Sequence, residues 1–170
     1  MLDLPNQLKI KKFSKNDITK KYIKILNDKK LLKHSDQRHK KHTHKSCLSY
    51  LNNFKNNDNL FLKIINKKDL IGTCTVYIDK KNLNANLGFL IVSKNNHNKG
   101  YTTLVLKNLI KYLFNKKKLK KVTCGTVDIN YPMVKVCKNN GMLLEATLKK
   151  QKLIKKKLHN VLIYSIFNNK

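Results

Sequence analysis

Hydrophobic and charged residues alternate near the start of the chain, where Leu8 and Ile10 interleave with Lys9 and Lys11. That period of two predicts a first strand ending near Phe13. The period then lengthens: Ser14 is placed to cap a helix whose buried face is Ile18, Tyr22, Ile25 and Leu26. Residues 27–41 are polar and irregular. Thr43 begins a second short helix with Cys47, Leu48, Leu51 and Phe54 as its apolar stripe. Three strands follow as a meander, over 60–65, 70–79 and 84–92, joined by the polar turns 67–69 and 80–83. A polar loop, 93–99, and Gly100 lead into a helix running to about Lys116, its inner side formed by Leu106, Leu109, Ile110 and Leu113. Val122 to Val127 reads as a short strand buried on both faces. Asn130 and Pro132 open another helix and Gly141 closes it. Strands over 143–154 and 159–167 form a final hairpin. The resulting order, β-α-α-β-β-β-α-β-α-β-β, predicts an α/β fold: a mixed, mostly antiparallel twisted sheet with helices on both faces.

The 170 residues carry no Pro/Gly/Ser-rich linker and no internal repeat, so 1–170 is expected to be one domain. The lysine runs Lys116–Lys118 and Lys155–Lys157 fall between apolar segments and read as exposed connections. A hydrophobic fraction of 41% is ordinary for a globular chain and argues against wholesale disorder. No apolar run approaches the ~20 residues of a membrane span, and the first residues lack the basic flank and apolar core of a secretory signal. The four cysteines form no C-x-x-C pair and are expected to be reduced and buried in a cytoplasmic protein.

The net charge of +29 is the unusual feature, and it would ordinarily suggest a nucleic acid or an anionic membrane as partner. Almost all of that charge is lysine, scattered through every segment, and Asn and Ile are abundant beside it. These three residues rise together when codons are AT-rich. Readers of nucleic acid favour arginine for bidentate contacts and concentrate it in a stripe. Compositional drift over a solvated surface is therefore the main reading, and nucleic acid is not expected as partner. A positive field would nonetheless favour an anionic substrate.

Candidate chemistry begins with the stretch from Leu87 to Leu106: a strand, a polar loop with a glycine, and a helix N-terminus. Such a junction is an anion site, because free backbone N–H groups point outward and glycine lets phosphate approach. A plain strand–helix turn is the competing reading. The loop His97-Asn98-Lys99-Gly100-Tyr101-Thr102 resembles the Q/R-x-x-G-x-G/A motif of the GNAT superfamily of N-acetyltransferases, departing from it at His97 and Thr102. About thirty residues on, Asn130 through Gly141-Met142 resembles that family's second motif. Glu145 and the run His159-Asn160-Val161-Leu162-Ile163-Tyr164 resemble the closing hairpin of the branch that acetylates ribosomal-protein N-termini.

The resemblance implies a GNAT-like acyl-CoA N-acyltransferase fold with acetyl-CoA as cosubstrate and no metal. Backbone groups of Leu90, Ile91 and Val92 are then expected to bind the pantetheine arm. Those of His97, Asn98, Lys99, Gly100, Tyr101, Thr102 and Thr103 would hold the pyrophosphate, and Asn130 would contact the cofactor from the neighbouring strand end. Transfer to an amine needs the neutral amine, which makes a general base useful. Glu145, the only glutamate in the chain, is the candidate, weighed against a surface glutamate paired with one of the lysines. Cys137 occupies the family's usual tyrosine position, either as a proton donor to the leaving thiolate or as a packing cysteine.

Four of the six histidines fall in 34–44, with a spacing that fits no common zinc site. Asp36, Arg38 and His39 in that segment are expected to line the acceptor pocket, a solvated loop being the alternative. The acceptor expected is an amino sugar of surface-polysaccharide biosynthesis. A protein N-terminus is the alternative acceptor, and a non-catalytic basic module binding nucleic acid or the ribosome is the alternative function. The assembly is left open between monomer and homodimer.

Overall fold

The computed structural model describes residues 2–5, 7–92 and 99–168. Its strands are β1 (Leu2–Leu4), β2 (Leu8–Lys12), β3 (Leu60–Asn66), β4 (Asp69–Asp79), β5 (Asn84–Ile91), β6 (Lys121–Val127), β7 (Leu143–Ile154) and β8 (Lys157–Phe167). Its α-helices are α1 (Lys20–Leu26), α2 (His44–Asn52), α3 (Tyr101–Asn115) and α4 (Tyr131–Asn139). The strands form one sheet in the order β1-β2-β3-β4-β5-β6-β8-β7. Every neighbouring pair is antiparallel except β5 and β6. A parallel pair needs a crossover, and α3 supplies it.

Successive residues of a strand face opposite sides, and β3 shows what each side holds. Leu62 and Ile64 join the cluster formed with Val105, Leu106, Leu109 and Leu113 of α3 and Cys137 of α4. Phe61 joins Phe13, Tyr22, Leu26 and Cys47 under α1 and α2. Helices therefore cover both faces, as expected. The ring of Phe61 meets those of Phe13, Tyr50 and Phe54 at centroid distances of 4.5, 5.4 and 5.3 Å, which ties α2 to the sheet.

Three local expectations change. Ser14 caps a 3-10 turn (Lys15–Asp17) instead of α1, because Asp17 reaches back to the Ser14 N–H at 2.7 Å and closes a reciprocal cap. Thr19 then caps α1, its hydroxyl accepting from the Tyr22 N–H at 3.1 Å. Strand β6 is not buried on both faces: Val122 and Cys124 are buried, whereas Thr123 is half-buried and Gly125 exposed. The edge strand β1 had no sequence signal, being three residues long and held by pairing with β2. Among the described residues no helix is long and apolar enough to cross a membrane.

Candidate active site

The central feature is a fork in the sheet. Strands β5 and β6 pair from Asn84↔Lys121 to Leu87↔Cys124, and there the ladder stops. Beyond that point β5 stays on β4, ending at Gly72↔Ile91, and β6 stays on β8, ending at Val127↔Val161. The facing edges of Gly88–Ile91 and Gly125–Val127 thus carry no ladder between them. Such an edge offers backbone donors and acceptors to an extended, amide-bearing chain, as in strand addition. Asn130, expected to touch a cofactor, stands just past the end of β6, and its Nδ2 donates to Thr126 Oγ1 at 3.0 Å.

The second feature lies at the start of α3. Gly100 has φ +71°, in the left-handed region, and among the described residues no heavy atom lies within 4 Å of where its Cβ would project. It occupies the N-cap of α3 without a side-chain cap, so the first N–H groups of a fifteen-residue helix face outward. This is an open cradle suited to phosphate. Lys99, Tyr101, Thr102 and Thr103 flank Gly100, the last three in the first turn of α3. His97 and Asn98 lie outside the described residues.

The third feature is a cavity of about 370 Å³ on the α1/α2 face. Its floor is Thr73 and Thr75 of β4 with Gly88, Phe89 and Leu90 of β5, so it opens onto the strand that forms one arm of the fork. A side chain at Gly88 would place Cβ 2.7 Å from Thr75 Oγ1; only glycine allows β5 so close to β4's threonine. Ser46, Ser49, Tyr50 and Asn53 project into the cavity from α2 and the residue after it. These four fall at i, i+3, i+4 and i+7, a polar stripe beside the apolar one, and this spacing was the sequence signal for them. His42 is held firmly. Its N–H donates to Asn27 Oδ1 at 2.9 Å, and its carbonyl accepts from Asn27 Nδ2 at 2.8 Å. Its Nε2 lies 3.1 Å from the Gln37 carbonyl oxygen. A carbonyl only accepts, so Nε2 carries a proton, and in the neutral ring Nδ1 is the basic nitrogen. Burial pushes the hydroxyls of Tyr22 and Tyr50 and the thiol of Cys47 up from their ordinary values, so these neighbours stay protonated at neutral pH.

The acceptor residues expected in 36–39 divide differently. Arg38, the chain's only arginine, donates from Nη1 to the Ser35 carbonyl at 2.8 Å and from Nη2 to the Leu153 carbonyl at 3.0 Å. Asp36 accepts from Lys152, which holds its carboxyl below the usual range, and sits 3.6 Å from Arg38. Both side chains fasten the 3-10 turn Asp36–His39 to β7, and neither lines the cavity. His39 lines a neighbouring recess with Leu26, Asn27 and Arg38.

Glu145 is not on a strand that borders the fork. The order β6-β8-β7 places β8, and not β7, beside β6. Glu145 lies at a bulge between Leu144 and Ala146, where its carboxylate accepts from Lys121. That hydrogen bond holds the carboxyl below its ordinary value. Through Tyr164 and Ile163 the bulge stands level with Cys124 and Gly125, where the fork opens, but β8 lies between, and the carboxylate is turned to Lys121 at the start of β6. The geometry is that of a glutamate paired with a lysine. Cys137 is fully buried, with its sulfur hydrogen-bonded to Cys124, the bond that lowers the Cys137 thiol. It packs beside the last paired residue of β6. Among the described residues no group of three or more His, Cys, Asp or Glu side chains could hold a metal ion.

A mixed sheet forked after its one parallel pair, with a glycine at the N-cap of the crossover helix, is the α/β architecture of the chain. The model of the acetyltransferase (GNAT) domain matches residues 7–143, and the chain belongs to this family. It is an acetyltransferase. No curated protein sequence matches it. Among solved structures, it is similar to the ribosomal alpha-N-protein acetyltransferase RimL in complex with coenzyme A, at 12% identity and a TM-score of 0.85, covering 96% of each chain. It is similar to spermidine N-acetyltransferase from Vibrio cholerae in complex with CoA and spermine, at 18% identity, TM-score 0.81 and 95% of each chain. It is also similar to the microcin C7 self immunity acetyltransferase in complex with acetyl-CoA and AMP, at 18% identity and TM-score 0.82, covering 96% of this chain and 93% of that one. At such identities the likeness establishes the fold.

Proposed function

We propose that the chain moves acetyl from acetyl-CoA to a primary amine, an amino sugar of surface-polysaccharide biosynthesis. The observation that carries this reading is that the polar cavity and the β5–β6 fork share one stretch of strand, Gly88–Leu90. When bound, acetyl-CoA supplies the acetyl thioester. The backbone of Leu90, Ile91 and Val92 borders the fork and would pair with the pantetheine amides. The N–H groups from His97 to Thr103, around Gly100, would hold the pyrophosphate, and Asn130 would close the site from the end of β6.

The acceptor enters through the cavity, whose size suits a small molecule. Its hydroxyl and amide lining, from Ser46, Ser49, Asn53, Thr73 and Thr75, suits a hydroxyl-rich acceptor. The amine must lose a proton as it attacks the carbonyl, and His42, whose Nε2 is turned to the Gln37 carbonyl and whose Nδ1 is the basic nitrogen of the neutral ring, is the lining side chain suited to take it. Cys137 is committed to packing against Cys124, so solvent at the open side of the fork would protonate the departing thiolate. A protein N-terminus as acceptor draws on the likeness to RimL. Calorimetric titration with acetyl-CoA, followed by acetylation assays over amino sugars and peptides, tests the reading. Micromolar acetyl-CoA binding and turnover of an amino sugar are expected; preferential turnover of peptide N-termini would move the acceptor to the second reading.

A further inference from the structure

The acceptor cavity carries cations at its mouth and no anion in its lining. Lys40 and Lys41 form the rim, and every other polar group lining it is a neutral hydroxyl, amide, thiol or backbone group or the imidazole of His42, the proton acceptor of the reading above. The carboxylate of the same segment, Asp36, is engaged by Lys152 and Arg38. Asp17, just ahead of α1, is engaged by Lys63 at 2.6 Å. The residues outside the described set include no Asp or Glu. A second ammonium on the acceptor would therefore be desolvated without a counter-charge and placed beside two lysines. A phosphate there would meet two ammonium groups. Lys40 and Lys41 also border the neighbouring recess with His39, which gives an anionic portion of the acceptor room outside the cavity proper.

We propose that the acceptor is a phosphate-bearing primary amine, with its phosphate held by Lys40 and Lys41 and its amine carried inward to Gly88–Leu90. This rests on the acetyl-transfer reading above and adds the charge class of the substrate. It assigns the lysine rim two effects. The rim attracts the dianion, and it disfavours the ammonium form of the amine, so that more of the bound acceptor is the neutral nucleophile.

The test compares kcat/KM for acetylation of an amino sugar, its phosphate monoester, its nucleoside diphosphate ester and spermidine. A phosphorylated form is expected to exceed the free sugar by at least ~10-fold and spermidine by more. In the double variant Lys40→Ala, Lys41→Ala the ratio of phosphorylated to free sugar should fall by about 10-fold or more, with Lys40→Gln, Lys41→Gln repeating the fall. The monoester and the nucleoside ester separate a simple phosphate from a nucleotide as the source of the anion. Spermidine as the best acceptor, an unchanged ratio in both double variants, or no turnover of any amine by protein that binds acetyl-CoA would overturn the proposal. Absence of acetyl-CoA binding would instead sink the acetyl-transfer reading on which it stands.

Discussion

Arg38 Nη2 donates to the carbonyl oxygen of Leu153 at 3.0 Å, joining the turn before α2 to the far end of β7 across 115 residues of chain. The same guanidinium reaches Ser35 at 2.8 Å, and its side chain is only 12% exposed. The planar fork that sequence reasoning assigned to an acceptor is used on the protein's own backbone.

Replacing Arg38 should therefore act first on stability. A hydrogen bond from a charged donor is worth about 1.5–3 kcal/mol, and removing this fork leaves two carbonyls to water. Arg38→Ala is expected to lose about 2–3 kcal/mol in urea denaturation, with Arg38→Lys losing less because one bond survives. The acceptor KM should rise in parallel, since residues 40–42 hang from this turn. A variant of wild-type stability with a raised KM would return Arg38 to direct substrate contact.

Gly100 tests the cofactor cradle. Its φ of +71° costs a non-glycine residue about 1–2 kcal/mol, and a side chain there would project into the open space assigned to phosphate. Gly100→Val should fold, with its melting lowered by no more than that cost, and its acetyl-CoA affinity should fall at least ~10-fold by calorimetry. Unchanged affinity in a folded variant would remove the cradle from the site.

The elements were legible in the sequence because each relied on local chemistry: period-two alternation in β2, helical spacing in α3, and Pro132 after Asn130 opening α4. Gly100 could be read because a glycine before an amphipathic helix has a physical use whatever the tertiary context. Glu145 could not be placed, since its position depends on β8 inserting between β6 and β7, and strand order is a long-range property. The cavity was half visible. The polar stripe Ser46, Ser49, Tyr50 and Asn53 was in plain view beside the apolar one, but only the packing of α2 over β4 turns it inward.

Asp17 should carry part of the protein's resistance to acid. Its burial works to raise the carboxyl, but hydrogen bonds from Lys63 and Ser14 outweigh it and leave it below the ordinary value. A carboxyl depressed in the folded state stabilises above its unfolded pKa, and this contribution is lost as pH falls through the folded one. Asp17→Asn should accordingly be less stable than wild type at pH 7 by about 1–2 kcal/mol, the difference shrinking toward pH 3. Urea midpoints at pH 7, 5 and 3 measure this. A gap that persists at pH 3 would mean the loss comes from capping geometry alone.

The last prediction sets His42 against Glu145 as the group that takes the proton. Glu145 is separated from the fork by β8 and bound to Lys121, and an ion-paired carboxylate held below its ordinary value is a weak base. His42 lines the cavity on the α1/α2 face with Nε2 turned to the Gln37 carbonyl, which makes Nδ1 the basic nitrogen of the neutral ring. The other titratable groups lining the cavity are Tyr22, Tyr50 and Cys47, kept protonated by burial, with Lys40 and Lys41 at the rim. His42→Gln retains an N–H for Gln37 but loses the basic nitrogen. Its kcat should fall by about 10²-fold, the lower end of what a positioned base contributes. The acid limb of its pH–rate profile should flatten, and acetyl-CoA affinity should stay constant. Glu145→Gln should keep kcat within a few-fold of wild type and preserve that limb, because only a surface pairing with Lys121 is lost. The reverse pattern, a large kcat loss in Glu145→Gln beside an unaffected His42→Gln, would show that β7 approaches the fork during turnover and that the glutamate is the base after all.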